Sequence, residues 1–223
     1  MNLIIDFNKN CLKDNRPEDV MSQKRIVGDL TAFLFAGFDT SFNASLSSII
    51  AMMQEKNKIW VEKIRNSGVQ TSAECLENSP LDVCLKEGIR LYGPVPSIFG
   101  RIVTKDMTLA GVTIEKGNKV VIPLSFSKYR SEYHDAEDFM PERWEDKKAV
   151  EKLGGYTYLP FYTGKRGCLG RIAGEFNMKL MVGNILKRFE LKLEDGYQIV
   201  MDLDGAYACK NPDVLIRLRR KLD

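Results

Sequence analysis

The stretch from Leu30 to Met53 carries a single charge, Asp39, and nothing else in the 223-residue chain restricts the fold as much. A run this long and this apolar has to leave water, and its length suits a membrane-spanning helix. Its polar content argues against lipid. Thr31, Thr40, Ser41, Asn43, Ser45, Ser47 and Ser48 lie within it, and a central aspartate is costly in hydrocarbon. The sequence therefore predicts a long helix, Met21 to Gln54, buried inside a soluble protein. With 44% hydrophobic and 28% charged residues, the remainder of the chain is ordinary globular material able to supply the covering core.

Several chemistries are excluded at once. There is one histidine, His134, so catalytic metal centres needing two or three histidines are out. The five cysteines are odd in number and none forms a C-x-x-C pair, which argues against a disulfide scaffold and for a reducing compartment. The net charge of +3 gives no argument for nucleic acid. Met1 to Phe7 does not read as a signal peptide.

The order of elements can also be read. The first 20 residues are polar and indistinct, with Arg16-Pro17-Glu18-Asp19 turning into the long helix. A short amphipathic helix covers Lys58 to Arg65 and stops at Ser67-Gly68. Ser79-Pro80-Leu81-Asp82 is a capping box that starts a helix ending at Tyr92, before Gly93-Pro94. Arg101–Thr104, Met107–Leu109, Val112–Ile114 and Lys119–Ile122 read as short strands. Residues 126 to 167 read as mostly irregular and too long for an ordinary connection. A last helix follows, with Leu169, Ile172, Ala173, Phe176, Leu180, Met181 and Ile185 at helical spacing. It ends near Phe189, and the tail around Val214 to Arg219 reads as strand.

The most informative segment is Phe161-Tyr162-Thr163-Gly164-Lys165-Arg166-Gly167-Cys168-Leu169-Gly170. It sets one cysteine where a glycine-rich loop meets a long helix. Unpaired N–H groups and the positive end of the helix dipole favour a thiolate there, and Lys165 and Arg166 add positive charge. Gly164, Gly167 and Gly170 let the backbone approach a flat ligand or adopt positive φ. Three readings compete on these residues: a glycine-rich turn around a buried cysteine, a phosphate-binding loop, and an axial thiolate ligand to haem iron. The phosphate loop fails, because Arg166 occupies its Ser/Thr position and Leu159 stands where its upstream glycine is required.

The segment resembles the haem-binding signature of the cytochrome P450 family, F-x-x-G-x-R-x-C-x-G. Phe161, Gly164, Arg166, Cys168 and Gly170 stand at its specified positions. Further segments resemble family motifs in the family's order. Ala36-Gly37-Phe38-Asp39-Thr40-Ser41 is similar to [AG]-G-x-[DE]-T-[TS], Glu87-Gly88-Ile89-Arg90 to E-x-x-R, and Pro141-Glu142-Arg143-Trp144 to P-E-R-[FW]. The match runs from about Val27 to the C-terminus. It implies a mainly α fold with small β-sheets: the C-terminal part of the P450 fold as one partial domain over residues 1–223, with the family's N-terminal helices missing. Without those helices, the apolar faces of Leu30 to Met53 would meet water.

The resemblance further implies haem b (iron protoporphyrin IX) as cofactor, with Cys168 its axial iron ligand. Arg101, Phe161, Gly164, Arg166 and Gly170 would be cofactor-binding, the two arginines as propionate contacts. Asp39 and Thr40 would form a catalytic proton relay, Thr40 bending the helix through the carbonyl of Ala36. Glu87, Arg90 and Arg143 would make a buried structural ion triad. The implied activity is a haem-thiolate monooxygenase, or its C-terminal catalytic half. It would insert one oxygen atom from O2 into a small, lipophilic organic substrate. Electrons would come from an NADPH-dependent reductase or a ferredoxin-type donor, and nucleic acid is not a partner. The alternative is a non-catalytic truncated fragment that keeps the haem-binding motifs by descent. A thiol enzyme using Cys168 directly would need a base, and His134 has no arrangement that suggests one. The implied location is intracellular. The membrane anchor of microsomal members would precede this segment, which leaves a parent protein on the endoplasmic reticulum open.

Overall fold

The computed structural model describes residues 2–67, 79–125, 132–146, 148, 151, 156–193, 197, 199–204, 206–209 and 217–220. Parts of the 126–167 connection, and Gly68 and Val214 to Ile216 from the strand and turn expectations, lie outside the described residues. The chain divides into two units, residues 1–39 and 40–223.

In the first unit the N-terminal residues, which the sequence left without structure, form helix α1 (Asn2–Lys13). Ile4, Asn8 and Cys11 repeat at four- and three-residue spacing and make its less exposed face, with Cys11 fully buried. Asn8 is a tether: its Nδ2 donates to the Met21 carbonyl (3.1 Å) and its Oδ1 accepts from the Met21 N–H (2.9 Å). A 3-10 turn at Pro17–Asp19 precedes helix α2 (Gln23–Met53), close to the expected bounds. The expected burial of α2 holds only from Asn43 onward. Leu30, Phe33, Leu34, Phe35 and Phe38 are half to three-quarters exposed.

In the second unit the core is built where the later turns of α2 meet helices α3 (Lys58–Asn66), α4 (Pro80–Tyr92) and α5 (Arg171–Arg188). Ile50, Met52, Ile64, Leu81, Val182 and Leu186 are its fully buried members. Two of the three serines on the buried part of α2 bond back into their own helix, whereas the Ser47 hydroxyl has no hydrogen-bond partner among the described residues. Ser45 Oγ donates to the Ser41 carbonyl (2.8 Å) and Ser48 Oγ to that of Ala44 (2.7 Å). Gly88 of α4 lies against Ser48, and a Cβ there would meet the Ser48 Cβ at 2.8 Å. Helix α4 starts as the sequence predicts, with Ser79 Oγ accepting the Asp82 N–H (3.2 Å). Arg65, at the end of α3, donates to the Leu186 and Phe189 carbonyls (both 3.0 Å). It thereby puts a cation on the free carbonyls at the C-terminus of α5.

Four two-stranded antiparallel sheets complete the described fold. Strand β1 (Ser97–Ile102) pairs with β4 (Lys119–Pro123), with a register shift between Ile98 and Arg101. Strands β2 (Met107–Leu109) and β3 (Val112–Ile114) form a hairpin whose turn residues, Ala110 and Gly111, both have positive φ (49° and 82°). That is the type I′ combination matching strand twist. Strand β5 (Phe189–Lys192) follows α5 directly and pairs with β8 (Arg217–Arg220), and β6 (Met201–Asp204) pairs with β7 (Ala206–Cys209). The sequence reading placed neither β5 nor the β6–β7 hairpin. Among the described residues, no helix is long and apolar enough to cross a membrane.

Asp82 ties α4 to α5 from inside the core. It is buried, and its two oxygens accept from Lys86 (2.8 Å) and Lys179 (2.6 Å). Burial alone would raise its pKa, but the hydrogen bonds from Lys179 and Lys86 outweigh it and hold the carboxyl below the usual aspartate range. A carboxyl depressed in the folded state stabilises the protein above its unfolded pKa, and that contribution is lost as pH falls through the folded value. We expect Asp82→Asn to lower stability in urea at neutral pH by about 2 kcal/mol. This is less than for a fully buried pair because both lysines keep some contact with water. The gap to wild type closes below roughly pH 4.

Candidate functional site

Glu87 is completely buried on α4, and five donors converge on it. Arg90, one turn later, holds it as a fork, with Nη2 to Oε1 (2.8 Å) and Nε to Oε2 (2.9 Å). Arg143 Nε reaches Oε1 (2.9 Å), the Met140 N–H the same oxygen (3.0 Å), and Trp144 Nε1 reaches Oε2 (2.8 Å). The arginines' remaining donors go to the chain. Arg90 bonds the Ala136 and Asp138 carbonyls, and Arg143 bonds those of His134 and Asp135. Both guanidiniums lie over the Tyr133 ring, with centroid distances of 4.8 and 5.6 Å. His134 contributes a backbone carbonyl, while its ring is exposed beside Asp135. Residues 133–144 are thus folded around one carboxylate.

The cysteine loop is closed by its own backbone. The Cys168 N–H donates to the Phe161 carbonyl (2.8 Å) and the Gly167 N–H to that of Gly164 (3.0 Å). Gly164 has φ +69°, in the region that favours glycine, and a Cβ there would meet nothing within 4 Å. The cysteine stands two residues before Gly170, the N-cap of α5, and not on the helix itself. Its thiol is exposed. Gly170 also faces open space, Phe161 is half-buried under the Arg171 guanidinium (5.8 Å from the ring centroid), and Arg166 is exposed.

Arg101 reaches the same neighbourhood from β1. The register shift puts Phe99 and Gly100 together opposite one residue of β4, a bulge that re-aims the next side chain. Arg101 Nη1 then donates to the Phe99 carbonyl (2.6 Å). Tyr162 lies between strand and loop. Its hydroxyl donates to the Ser97 carbonyl (3.2 Å) and its ring meets Phe99 edge-on, 6.3 Å between centroids. Burial pushes the Tyr162 hydroxyl pKa up; Arg101 works against that and Cys168 with it, so both groups act on it electrostatically.

The other sequence-predicted pair sits on α2, which is continuous through Ala36 to Ser41. Asp39 is half-buried at the end of the first unit, and Thr40 is half-buried at the start of the second. Ser41, beside Thr40, packs against α5, with its Oγ 3.9 Å from where a Cβ on Gly174 would be.

The cytochrome P450 family model matches residues 2–216. The chain belongs to the cytochrome P450 family. It is 31% identical to cytochrome P450 3A12 of Canis lupus familiaris over 208 residues, covering 89% of this chain and 41% of that protein. Over 198 residues it is 30% identical to the probable cytochrome P450 4d21 of Drosophila melanogaster, covering 84% of this chain and 38% of that protein. The crystal structure of a cytochrome P450 (CYP102L1) superposes with a TM-score of 0.79 at 25% identity, over 91% of this chain and 47% of that one. The crystal structure of cytochrome P450DA heme domain gives 0.78 at 18% identity, likewise over 91% of this chain and 46% of that one. The fold is therefore P450 architecture, mainly helical with small antiparallel sheets, and the chain spans about two-fifths of the length of the curated relatives it matches.

Haem is the cofactor of cytochrome P450 proteins, and the residues here fit it. Cys168 presents an exposed soft donor. Leu169 and Ile172 (84% and 83% exposed) and Phe99 (72%) offer apolar surface to a flat ring, while Arg101 and Arg166 offer exposed cations to its carboxylates. Among the described residues no three His, Cys, Asp or Glu side chains converge on one point.

Three features of the site escaped the sequence reading. Trp144 and the Met140 amide are donors to Glu87 that no spacing rule identifies, although Trp144 belongs to the P-E-R-[FW] element. Tyr162 occupies an unspecified position of the signature. Lys179 meets Asp82 only through tertiary packing. We expect Glu87→Gln to cost about 3–5 kcal/mol of unfolding free energy, because two buried guanidiniums lose their counter-charge. Urea denaturation followed by tryptophan fluorescence measures it, with Trp60 and Trp144 both buried in this core.

Proposed function

We propose that this chain is the C-terminal, catalytic part of a haem-thiolate monooxygenase, with Cys168 as the axial ligand to haem b. The observation that carries the reading is an exposed thiol in a loop locked by the Cys168 N–H to Phe161 carbonyl bond, flanked by exposed apolar and cationic side chains. Haem, when bound, supplies dioxygen activation, one oxygen atom entering an organic substrate and the other leaving as water. Arg101 and Arg166 would hold its propionates, Phe161 would pack beside it, and Gly164 and Gly170 would leave the backbone low enough for a flat ligand. Asp39 and Thr40, on α2, would hold and pass protons. The Glu87–Arg90–Arg143 cluster would act as scaffold. Electrons would come from an NADPH-dependent reductase or a ferredoxin-type protein. The substrate class is a small lipophilic molecule, and an intracellular location fits a fold with buried, unpaired cysteines at Cys11 and Cys84.

A second reading, a non-catalytic fragment that keeps haem-binding motifs, is favoured by one observation. Phe33, Leu34 and Phe35 on α2 are each more than half exposed. An apolar face of that kind ordinarily needs a cover. Product formation with a reductase separates the two readings.

The full chain, reconstituted with haem, reduced and exposed to carbon monoxide, is expected to give a strongly red-shifted Soret band that Cys168→Ser abolishes. An unchanged band in that variant overturns the assignment of Cys168.

A further inference from the structure

Tyr162 carries a cost that the rest of the loop does not explain. Its φ is +61°, a region where a bulky aromatic residue is a true outlier and backbone strain is stored. The family signature leaves this position unspecified, so no haem contact is implied for it. What the conformation achieves is visible in its contacts. The twisted backbone sends the side chain out of the loop and onto β1, where Oη donates to the Ser97 carbonyl (3.2 Å) and the ring sits edge-on to Phe99. Its own N–H stays bonded to the Leu159 carbonyl (3.1 Å), and the residue before it, Phe161, accepts the Cys168 N–H. On the strand side, the Phe99 carbonyl is the acceptor for Arg101. One side chain therefore connects the peptide that fixes Cys168 to the strand segment that fixes Arg101.

We propose that Tyr162 is a positioning residue, a clamp that sets the spacing between the thiol of Cys168 and the guanidinium of Arg101. This rests on the haem-thiolate reading, in which those two groups grip the same cofactor from the iron and the propionate side. A flat rigid ligand gripped at two points needs that separation fixed before it arrives. Otherwise ordering the loop has to come out of the binding free energy. The strained backbone persists because the Ser97 bond, the Phe99 contact and the Leu159 bond together over-determine it.

Tyr162→Phe removes the hydroxyl and keeps the ring, so the chain folds as before. Tyr133→Phe is the control: it deletes a hydroxyl bond of the same length, to the Thr157 carbonyl, away from the cysteine loop. In the chain without haem, hydrogen exchange at the Cys168 and Gly167 amides should quicken about fivefold in Tyr162→Phe and stay unchanged in Tyr133→Phe. In the haem-loaded chain, haem transfer to an acceptor globin should quicken by a similar factor, and part of the carbon monoxide band should lose its red shift. Equal exchange and equal haem release in Tyr162→Phe and wild type overturn the clamp. The exchange arm needs no haem, so the clamp and the haem-thiolate reading fail separately: a wild-type chain with no red-shifted band removes the reading, while unaltered exchange removes the clamp.

Discussion

A carboxylate with no access to water is tolerable only if its charge is met on every side, and Glu87 is met from two stretches of chain. Arg90 comes from its own helix, while Met140, Arg143 and Trp144 come from the long irregular connection, at its 3-10 turn Pro141–Trp144. The irregular segment has little regular hydrogen bonding, so its path is set by what it must satisfy. The second donors of both arginines bind carbonyls at 134, 135, 136 and 138, which turns a charge cluster into a backbone template. Downstream of that template the chain passes Tyr158, whose hydroxyl donates back to the Lys86 carbonyl, and enters the loop that ends at Cys168. The segment that leads to the thiol is thus tied to α4 through Tyr158, and the loop itself to β1 through Tyr162.

Helix boundaries and the signature loop were legible in the sequence because each rests on local chemistry. The Ser79 cap, the proline at the first turn of α4 and the glycines around Cys168 act within a few residues of themselves. The hairpin at Ala110-Gly111 is likewise local. Among contacts closed across long sequence separations, Glu87 to Arg143 was legible through the family motifs that carry both residues. Trp144 to Glu87, Lys179 to Asp82 and Tyr162 to Ser97 were not, because they join elements whose approach depends on the whole core. Helix α1 was missed although Ile4, Phe7 and Cys11 stand at helical spacing, because its start lacks a capping residue of the kind that marks α4. The uniform burial expected of α2 failed because apolar composition records what a helix needs, and half of that need is unmet in this chain.

The family relationship explains both halves of this picture. The part of the P450 fold present here contains the cysteine loop, the strand bearing Arg101 and the ion cluster that fixes them, all within one unit. Apolar residues beside the thiol and along the first turns of α2 stay exposed. The polar contacts of the cysteine loop are thus in place, while apolar side chains beside it stay open to water. Enclosure governs how long a cofactor stays and how dry its surroundings are, whereas the polar frame governs which atom meets the metal.

The central claim is that a haem iron bound to this chain is held through the sulfur of Cys168. X-ray absorption at the iron edge of the haem-loaded chain tests it without reference to turnover. The account predicts one sulfur scatterer bound to iron in the wild type and none in Cys168→Ser. An iron sphere of nitrogen and oxygen alone in the wild type, or a sulfur that survives the substitution, would contradict it.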